Sequence, residues 1–574
     1  MKKLTSLVIL LLIAILDSHG QHVLNLDFEI IDSDTGLPKS WYVGNEDNVL
    51  FNLDSSIFHS GVKSLRISTK NPIMKGSAII VMQLDSSLFK SGDNIKIAGF
   101  IKTKGKGFDK ADLVVNQFTS NLTANNDPNT KSNWGNIDAN GWRELISESK
   151  ITQTTSFVTI TLTVSLDQPI WIDNFEIKIN EKRLEEVKQR ELMPPSPLEN
   201  EWLSKHLTPL SPSSDFADYA VLESNQQLKF KKVFAIGEAT HGSSEVYEIK
   251  NNLTKYLISY HDYSTLAIEM EPFDAQELNK YIQGGNIKLD ATLSATGYWI
   301  WKTKEFSSLM EWLRRFNEGK SNKIKIVGID IPFSNNALSI LKSYSPGSSY
   351  LSKIFTKIDS LYSLKDIKKN DATSLKKLVN LYEEESIKQN ILRDKKSNET
   401  LLSAISSFQQ QIGFRESTEQ NIYRDSCMAI NLSTFLNSNV SEKLILWAHN
   451  GHVSKAGKSL GALISEKNPV YSLAFAIGKG YFNGISQLDD EVKPHQLLPP
   501  ISDSYESYFN IQNQFSWFIS LNFKKNENKW LSEAHNFRFT GVMNSRYQFS
   551  LNNLQDAYDG VIFLKESTPS HLIF

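Results

Sequence analysis

The sequence predicts two fold classes in one chain: an antiparallel β-sandwich, followed by an α/β domain with a mainly parallel sheet, flanking helices and an inserted helical lobe. Three observations carry this prediction. Runs of alternating polar and apolar residues fill the first third of the chain. A charged and proline-rich stretch follows, and beyond it short apolar runs alternate with long helical patterns. With 574 residues, the chain is also too long for one domain of ordinary size.

The charge balance excludes one class of partner. The chain has 62 Lys and Arg residues against 64 Asp and Glu residues, which gives a net charge of -2. Nucleic-acid binding needs a basic surface that attracts phosphates. We therefore expect no nucleic-acid partner, and other partners have to be argued from sites.

The first residues predict export. Met1-Lys2-Lys3 precedes an apolar run, Leu7–Leu16, that is too short to cross a bilayer, and small residues precede a cleavage point after Gly20. We expect residues 1–20 to be a signal peptide, with no stable membrane span after cleavage; a retained anchor is the alternative. The single cysteine, Cys427, cannot form an intramolecular disulfide. A bacterial protein of the periplasm or the extracellular space fits both features.

Residues 22–180 are predicted to form the β-sandwich. Period-two alternation is clear in Ser64–Ser68, Ile95–Ile101 and Phe157–Val164, with turn-forming residues between such runs. The segments Asn25–Glu29 and Trp171–Ile177 resemble the first and last strands of carbohydrate-binding jelly rolls.

This resemblance implies a glycan partner for the first domain. A structural spacer or a docking module is the alternative, because a sandwich fold does not by itself specify a ligand. Three tryptophans are candidates either for stacking on sugars or for the core: Trp41, Trp134 and Trp142.

A change of pattern marks the domain boundary. Residues 181–200 are read as a charged helix and a Pro-rich linker, which ends the sandwich. Residues 201–574 form the α/β domain, in which 335–440 are almost wholly helical and polar and are predicted to be the inserted lobe. The buried strand-like runs are Val233–Ile236, Leu266–Ile268, Ile324–Val327, Leu444–Trp447, Val470–Phe475 and Val561–Leu564.

Polar side chains follow four of these predicted strands directly. In an open α/β sheet, ligands bind beyond the carboxyl ends of the strands, so these groups point to one place. One such residue would be an ordinary structural group, but four coincident strand ends predict a site. The groups are Glu238 and His241, Glu269 and Glu271, Asp330, and His449 and His452.

The chemistry of these residues suits hydrolysis. Gly237 and Gly242 permit a tight turn around His241, and the helix beginning near Ser243 adds its positive end. An imidazole takes a proton from water near neutral pH, and a carboxylate such as Glu238 or Glu269 orients it. The two later histidines suit polarising a carbonyl, protonating a leaving group or binding metal.

Three alternatives stay open from the residues alone. His241, the other two histidines and the carboxylates Glu238, Glu269 and Asp330 would supply enough ligands for zinc or manganese. Ser459, in a G-x-S-x-G pattern, is either a nucleophile or a serine at a helix start. Trp299, Trp301 and Trp312 line an apolar pocket or belong to the core.

The same residues carry a family resemblance. From about Ser211 to Leu564 the sequence resembles the erythromycin esterase family, in order and over the whole second domain. The resemblance implies metal-independent hydrolysis of an ester, with macrolide lactones as the best-known substrates, and hence a link to antibiotic resistance. The motifs are Gly237–Glu245, Ala267–Glu269, Tyr298–Trp301, Gly328–Pro332, Arg424-Asp425 and Ala448–His452.

The resemblance also implies roles for individual residues. His241 matches the general base for water, with no metal and no cofactor. At Lys250 the macrolide-hydrolysing members have arginine, so a point charge replaces a planar clamp, which bears on the substrate more than on the chemistry. The other implied catalytic or orienting residues are Glu238, Glu269, His449 and His452, and the implied substrate-binding residues are Lys250, Asp330 and Glu245.

The sequence therefore predicts an exported hydrolase of carboxylic ester or lactone bonds that uses water activated by His241. A small-molecule ester or lactone is the expected partner. Two rivals belong to other classes: a metal-dependent hydrolase, and an envelope glycan-binding or polysaccharide-related protein without esterase turnover.

Overall fold

The structure is a computed structural model, and it describes most of the chain. The described residues are 24–31, 38, 40–43, 49–70, 76–84, 88–104, 111–118, 125–153, 155, 157–187, 195–212, 215–225, 231–331, 336–345, 349–363, 369–388, 395–417, 420–486, 491–501, 504–542 and 548–573. The predicted signal peptide, residues 1–20, lies outside them. Among the described helices, none has both the length and the apolar composition that a membrane crossing requires.

The chain forms two compact units, which divide between residues 192 and 193 except that residues 486–489 are grouped with the first unit. The described part of the first unit is built mainly from β-strands, with a short 3-10 helix at Leu184–Glu186. Its strands are β1 (Tyr42–Val43), β2 (Val49–Asp54), β3 (Ser64–Thr69), β4 (Gly76–Leu84), β5 (Asn94–Thr103), β6 (Ala111–Phe118), β7 (Lys131–Ile137), β8 (Trp142–Lys150), β9 (Phe157–Leu166), β10 (Ile170–Ile179) and β11 (Lys182–Arg183).

These strands form two antiparallel sheets that share one core. One sheet has the order β1-β4-β9-β6, and the other has the order β2-β3-β10-β5-β8-β7 with β11 beside β10. Burial alternates along β5, where Ile95, Ile97 and Ile101 face inward, as the period-two sequence requires. They pack with Ile80 and Leu162 of the other sheet in one buried cluster. The predicted antiparallel sandwich is confirmed.

The predicted first strand, Asn25–Glu29, is wrong. Asn25 and Phe28 have positive φ values of 34° and 57°, which a strand does not allow, and the amide of Phe28 donates to the carbonyl of Asn25 (3.3 Å). The Phe28 ring stacks on Trp41, and the Glu29 carboxylate accepts the amides of residues 62 and 63. Residues 25–29 therefore form a turn that packs the Phe28 ring into the sandwich core.

The three tryptophans of the first unit differ in exposure. Trp41 and Trp142 are buried, and Trp41 donates its indole N–H to the carbonyl of Asn25 (3.0 Å). Trp134 is half-buried beneath the guanidinium of Arg143, 5.2 Å from the ring centroid. Two of the three candidates for sugar stacking are thus core residues.

The second unit is an α/β structure. Its strands are β12 (Thr208–Pro209), β13 (Val233–Ile236), β14 (Tyr263–Ile268), β15 (Lys325–Gly328), β16 (Lys443–Trp447), β17 (Val470–Ile485), β18 (Val492–Gln496), β19 (Ser516–Ser520), β20 (His535–Arg538), β21 (Phe549–Asn552) and β22 (Gly560–Ser567). Its α-helices are α1 (Pro197–His206), α2 (Ser244–Tyr260), α3 (Pro272–Ile282), α4 (Leu289–Ala295), α5 (Lys304–Asn317), α6 (Asn336–Ser343), α7 (Tyr350–Tyr362), α8 (Lys369–Lys388), α9 (Lys395–Glu416), α10 (Gln420–Ser438), α11 (Asn450–Val453), α12 (Leu460–Ser465), α13 (Tyr505–Phe509), α14 (Lys529–Ser532) and α15 (Leu554–Ala557), with 3-10 helices at Phe216–Asn225 and Trp299–Trp301.

The main sheet of the second unit has nine strands among the described residues. Its order is β12-β19-β22-β17-β13-β16-β14-β15, with β18 beside β17. The pairings from β22 across to β15 are all parallel, and β12, β18 and β19 pair antiparallel. All four residues of β13 are buried, as expected for a strand covered on both faces. The predicted α/β class is confirmed.

The inserted segment consists of the helices α6 to α10 in the described part of residues 335–440. Buried residues of α6 to α9, including Leu341, Ile354, Leu375 and Phe408, form a separate apolar cluster. The last helix, α10, packs its buried residues Met428 and Leu432 into a cluster shared with the sheet instead. This helix therefore connects the lobe to the carboxyl ends of the strands.

The stretch predicted as a charged helix has a different structure where it is described. Residues 182–186 form the short strand β11 and a 3-10 turn, and the first helix of the second unit starts only at Pro197. Ser196 caps that helix, because its hydroxyl accepts the amide of Glu199 while the Glu199 carboxylate accepts the amide of Ser196. The proline at the first helical position fixes the start.

Candidate active site

Four neighbouring strands end in the same row. Ile236 of β13 pairs with Trp447 of β16. Trp447 also pairs with Ile268 of β14, and Ile268 pairs with Gly328 of β15. Each strand ends at this row, so the first or second residue after each strand lies at the same edge of the sheet. These residues are Glu238, His449, Glu269 and Asp330, and all four are buried.

The turn after β13 holds His241 and Glu238 together. Nδ1–H of His241 donates to Oε1 of Glu238 (2.5 Å), and Nζ of Lys250 donates to Oε2 (2.6 Å). Burial alone would raise the pKa of Glu238, but the attraction of Lys250 and His241 outweighs it and lowers this pKa from 4.5 to about 2. Glu238 is therefore a permanent carboxylate between two partners.

Glu269 and Asp330 share one guanidinium. Nε and Nη2 of Arg424 donate to the two carboxylate oxygens of Asp330 (2.8 and 2.6 Å), and Nη2 also donates to Oε1 of Glu269 (2.7 Å). Oε2 of Glu269 accepts the amide of His449 (3.0 Å). Burial opposes ionisation of Glu269, yet His452 and Arg424 hold its pKa well below 4.5.

His449 is held in the neutral form. Its Nδ1 accepts the amide of Gly451 (3.3 Å), so the ring proton lies on Nε2. Burial, followed by repulsion from His241 and His452, lowers the pKa of His449 from 6.5 to about 3. Nε2 is buried and has no hydrogen-bond partner among the described residues, so it presents an unused N–H donor.

His452 is held in the charged form. Its Nδ1 lies 2.5 Å from Oδ1 of Asp425, and its Nε2 lies 3.4 Å from Oε1 of Glu269. Nε2 is also 3.2 Å from Nη1 of Arg424, so the two cationic groups share Glu269. Burial lowers the pKa of His452, but Glu269 and Asp425 raise it to about 10.

The three histidines therefore differ in what they can do. His452 keeps both ring protons near neutral pH, so it has no nitrogen lone pair to act as a base. His449 is neutral, but its Nε2 carries the ring proton and its Nδ1 accepts the amide of Gly451. His241 has its proton on Nδ1, facing Glu238, which leaves the lone pair of Nε2 available. Because no described residue hydrogen-bonds to that Nε2, it can accept a proton from water. The rings of His241 and His449 are 5.1 Å apart, so base and donor face the same small space.

Close packing fixes the turn that carries these groups. A Cβ atom at Gly242 would lie 2.1 Å from the carbonyl oxygen of Asn483, and one at Gly237 would lie 2.3 Å from Oδ1 of Asn450. Asn450 in turn bonds both backbone groups of Phe475, which attaches the end of β16 to β17. The glycines are needed here for close approach of the backbone.

The predicted substrate-binding residues all have partners within the protein. Lys250 is buried, with its ammonium on Glu238 and 4.6 Å from the centre of the Trp447 ring. Asp330 is held by Arg424. The carboxylate of Glu245 accepts the amide and the hydroxyl of Thr568 (both 2.8 Å). Substrate contact by these three residues stays a prediction.

Two residues of α10 belong to the site although sequence reasoning gave them no role. Arg424 and Asp425 are adjacent in a helical, polar stretch, and Arg424 lies 94 residues after Asp330 in the chain. Spacing does not reveal that contact. The one available signal was the Arg-Asp pair among the family motifs. Tyr247 was also missed: its hydroxyl donates to the carbonyls of His241 (3.0 Å) and Ile300 (2.5 Å).

Two sequence candidates have structural explanations. Ser459 is the N-cap of α12: its hydroxyl accepts the amide of Ala462, and it donates to the carbonyls of Ser454 and Ala456. This arrangement matches a serine at a helix start. Trp301 is buried against Phe306, and Trp299 and Trp312 are half-buried against the same core.

The side chains that could act as metal ligands form ion pairs with cationic side chains of the protein instead. Among the described residues, no group of three or more His, Cys, Asp or Glu side chains is placed to hold a metal ion. The carboxylates of Glu238, Glu269 and Asp330 already face the cations of Lys250 and Arg424. A divalent ion would have to displace those side chains before it could bind.

Comparison with known proteins identifies relatives of the second unit. The family model of erythromycin esterase matches residues 258–567, more than half of the chain. That match includes the ends of β14, β15 and β16, and it begins after the turn with Glu238 and His241. The Bacillus subtilis protein YbfO is 22% identical over 419 residues, which is 65% of this chain and 92% of YbfO. Erythromycin esterase type II of Escherichia coli is 24% identical over 162 residues, 28% of this chain and 36% of that protein.

Solved structures share the fold. A crystal structure of a Bacillus cereus protein superposes with a TM-score of 0.57 at 23% identity, covering 66% of this chain and all of that one. The erythromycin esterase EreC, solved as a mutant in its open conformation, has a TM-score of 0.51 at 15% identity and covers 66% of this chain and 99% of its own. With the family model matched over more than half of its length, the chain belongs to the erythromycin esterase family.

Proposed function

We propose that this protein hydrolyses carboxylic ester or lactone bonds with water activated by His241. The observation that carries the proposal is the proton arrangement of the three histidines. His241 alone among them combines a carboxylate on Nδ1 with an available lone pair on Nε2. The hydrolytic names of the family members agree with this chemistry.

In the proposed reaction, His241 takes one proton from water and returns it to the leaving group. Nε2 of His241 removes a proton from water as the water oxygen attacks the carbonyl carbon of the substrate. The imidazolium that forms is stabilised by Glu238. Nε2–H of His449 donates to the oxyanion of the tetrahedral intermediate, and a donor of this kind contributes about 10² to 10³ in kcat. His241 then returns the proton to the leaving alkoxide.

Glu269 and His452 act around this centre. Glu269 accepts the amide of His449 and so fixes the backbone from which the donor projects. The charge of His452, with that of Arg424, keeps Glu269 ionised and adds positive potential near the developing oxyanion. Lys250, Asp330 and Glu245 remain proposed as residues that shape substrate binding.

Turnover of a panel of macrolide lactones, aryl esters and acylated glycans tests the proposal. We expect His241→Ala to lose about 10²- to 10⁴-fold in kcat/KM. His206→Ala, which changes an exposed histidine on α1, should match the wild type. Chelator should leave the rate unchanged. Equal rates for wild type and His241→Ala contradict the role of the base, and loss of activity on chelation supports the metallohydrolase.

We also propose that the first unit binds a glycan and that the protein is exported. The charged and apolar pattern of residues 1–20 supports secretion to the periplasm or the medium. A mature N-terminus at Gln21, found by mass spectrometry on protein from the cell envelope, would verify cleavage, and an intact Met1 would refute it.

A further inference from the structure

The turn that carries His241 is tied to a segment far along the chain, residues 568–573. The amide of Ser570 donates to the carbonyl of Gly242 (2.8 Å), and the amide of Ser244 donates to the carbonyl of Thr568 (2.9 Å). Ser243 forms an antiparallel bridge with Pro569. The segment therefore runs as a short strand along the residues that follow the proposed base.

The same segment is attached to the start of α5 along its other part. Thr303 forms an antiparallel bridge with Leu572. The amide of Lys304 donates to the carbonyl of His571 (2.8 Å), and the amide of Ile573 donates to the carbonyl of Lys302 (3.1 Å). The segment thus joins the His241 turn to the first turn of α5.

One buried carboxylate contacts both sides of this junction. Oε1 of Glu305, which is 7% exposed, accepts the hydroxyl of Ser244 (2.6 Å) from the His241 turn. It also accepts Nδ1–H of His571 (2.8 Å) and the amide of His571 (3.1 Å) from the segment. Three donors from two chain segments converge on one oxygen, and hydrogen bonds to an ionised acceptor are about twice as strong as neutral ones.

We propose that Glu305 is a positioning residue for His241, because it fastens segment 568–573 to the turn that carries the base. Ser244 lies three residues after His241, so the contact fixes the backbone on which the imidazole is mounted. Tyr247 supports the same backbone, since its hydroxyl hydrogen-bonds to the carbonyls of His241 and Ile300. Glu305 itself touches no proposed reacting atom, and its effect on rate rests on the function proposed above.

The test compares three variants by kinetics and by hydrogen exchange. Glu305→Ala removes the acceptor, Glu305→Gln keeps the shape and removes the charge, and Glu311→Gln is the control on the same helix, where Glu311 is exposed and 3.7 Å from Arg315. We expect kcat of Glu305→Ala to fall about 10- to 100-fold, as for a small misplacement of a catalytic group. KM should stay within about twofold, because the change acts through the base and not through binding.

The exchange experiment separates positioning from general destabilisation. Amides of residues 240–247 and 568–573 should exchange faster in Glu305→Ala, less so in Glu305→Gln, and at the wild-type rate in Glu311→Gln. Strands β16 and β17 should keep their protection. Unchanged kcat, unchanged exchange in the turn, or faster exchange throughout the sheet would each overturn the proposal. Hydrogen exchange does not depend on turnover, so it tests whether Glu305 holds the turn independently of the proposed function. An active His241→Ala variant would contradict the proposed function but would leave this test of Glu305 intact.

Discussion

Each histidine of the site has the proton state that its own partners impose. Glu238 orients His241, Gly451 holds His449 in one tautomer, and two carboxylates keep His452 charged. The residue type is the same in all three places. The partner, and not the side chain, therefore decides which histidine is available as a base.

Glu238→Gln tests this reading at a single atom. The amide keeps the size of the side chain but removes the charge that stabilises the imidazolium and pairs with Lys250. We expect kcat to fall about 10² to 10⁴-fold, the range for loss of an oriented acid-base group. Steady-state kinetics measure it, and a Glu277→Gln variant on the exposed face of α3 is the control.

Glu238 also has a signature in the pH dependence of stability. Its pKa is lower in the folded state, about 2 against 4.5, so the folded state gains stability above pH 4.5 and loses this gain as the pH falls toward 2. The Gln variant has no such dependence. The stability advantage of the wild type over Glu238→Gln, from urea unfolding, should therefore shrink between pH 5 and pH 3. A constant difference would contradict the depressed pKa.

His449→Asn removes the proposed oxyanion donor and keeps the cap. Asparagine accepts the amide of Gly451 as a helix N-cap, but its side chain is too short to replace Nε2–H. We expect a fall of about 10²-fold in kcat, with partial recovery in His449→Gln, whose longer amide reaches further.

The pH profile distinguishes this role from that of a base. His449 is neutral above about pH 3, so the profile of kcat/KM between pH 5 and 9 should keep its shape in His449→Asn. Loss of one limb of the profile would show instead that His449 titrates during turnover.

At the scale of elements, the helix α10 contributes two residues, Arg424 and Asp425, to the site at the strand ends. Arg424 reaches from this helix to the ends of β14 and β15, where it neutralises Glu269 and Asp330. Arg424→Met should leave the buried Asp330 without its cation and Glu269 with His452 as its remaining cation. We expect the free energy of unfolding to fall by about 3–5 kcal/mol, measured by urea denaturation.

Arg315→Met on α5 is the matched control for that variant. Arg315 is 65% exposed and lies 3.7 Å from Glu311, so its loss should change stability by less than about 1 kcal/mol. Similar losses for the two variants would argue against a special role for Arg424. Arg424→Lys should fall between them, because a lysine cannot reproduce the two-pronged contact with Asp330.

Elements defined by local pattern were predictable from the sequence, and long-range contacts were not. The apolar run Val233–Ile236 predicted β13 with its bounds, and the strand-end rule gathered the polar groups correctly around one sheet edge. Asn25–Glu29 failed because alternation alone does not exclude positive φ values. The pairing of Lys250 with Glu238, and of Arg424 with Asp330, depends on which helix faces which strand end, and periodicity carries no such information.

At the scale of the whole molecule, the two units have separate apolar cores. The sandwich core includes Ile97 and Leu162, and the cores on the two faces of the α/β sheet include Phe234 and Leu446. We expect residues 193–574 alone to fold and to hydrolyse a soluble ester at the rate of the full chain. Binding to insoluble polysaccharide should be lost with the first unit.

Pull-down on a panel of insoluble glycans, with the ester assay on the same samples, measures both parts of that expectation. Full retention of glycan binding by residues 193–574 would remove the first unit from that role. A large fall in ester turnover would show instead that the units do not work independently.

The row formed by Ile236, Trp447, Ile268 and Gly328 has a consequence for folding. The proposed catalytic groups follow β13, β14 and β16, and the proposed base and donor come together only when β13 pairs with β16, which begins about 200 residues later in the chain. Contacts so distant in sequence form slowly. Activity should therefore return last during refolding, after helix content has recovered. The rate at which turnover recovers then measures how fast the strands of the sheet pair.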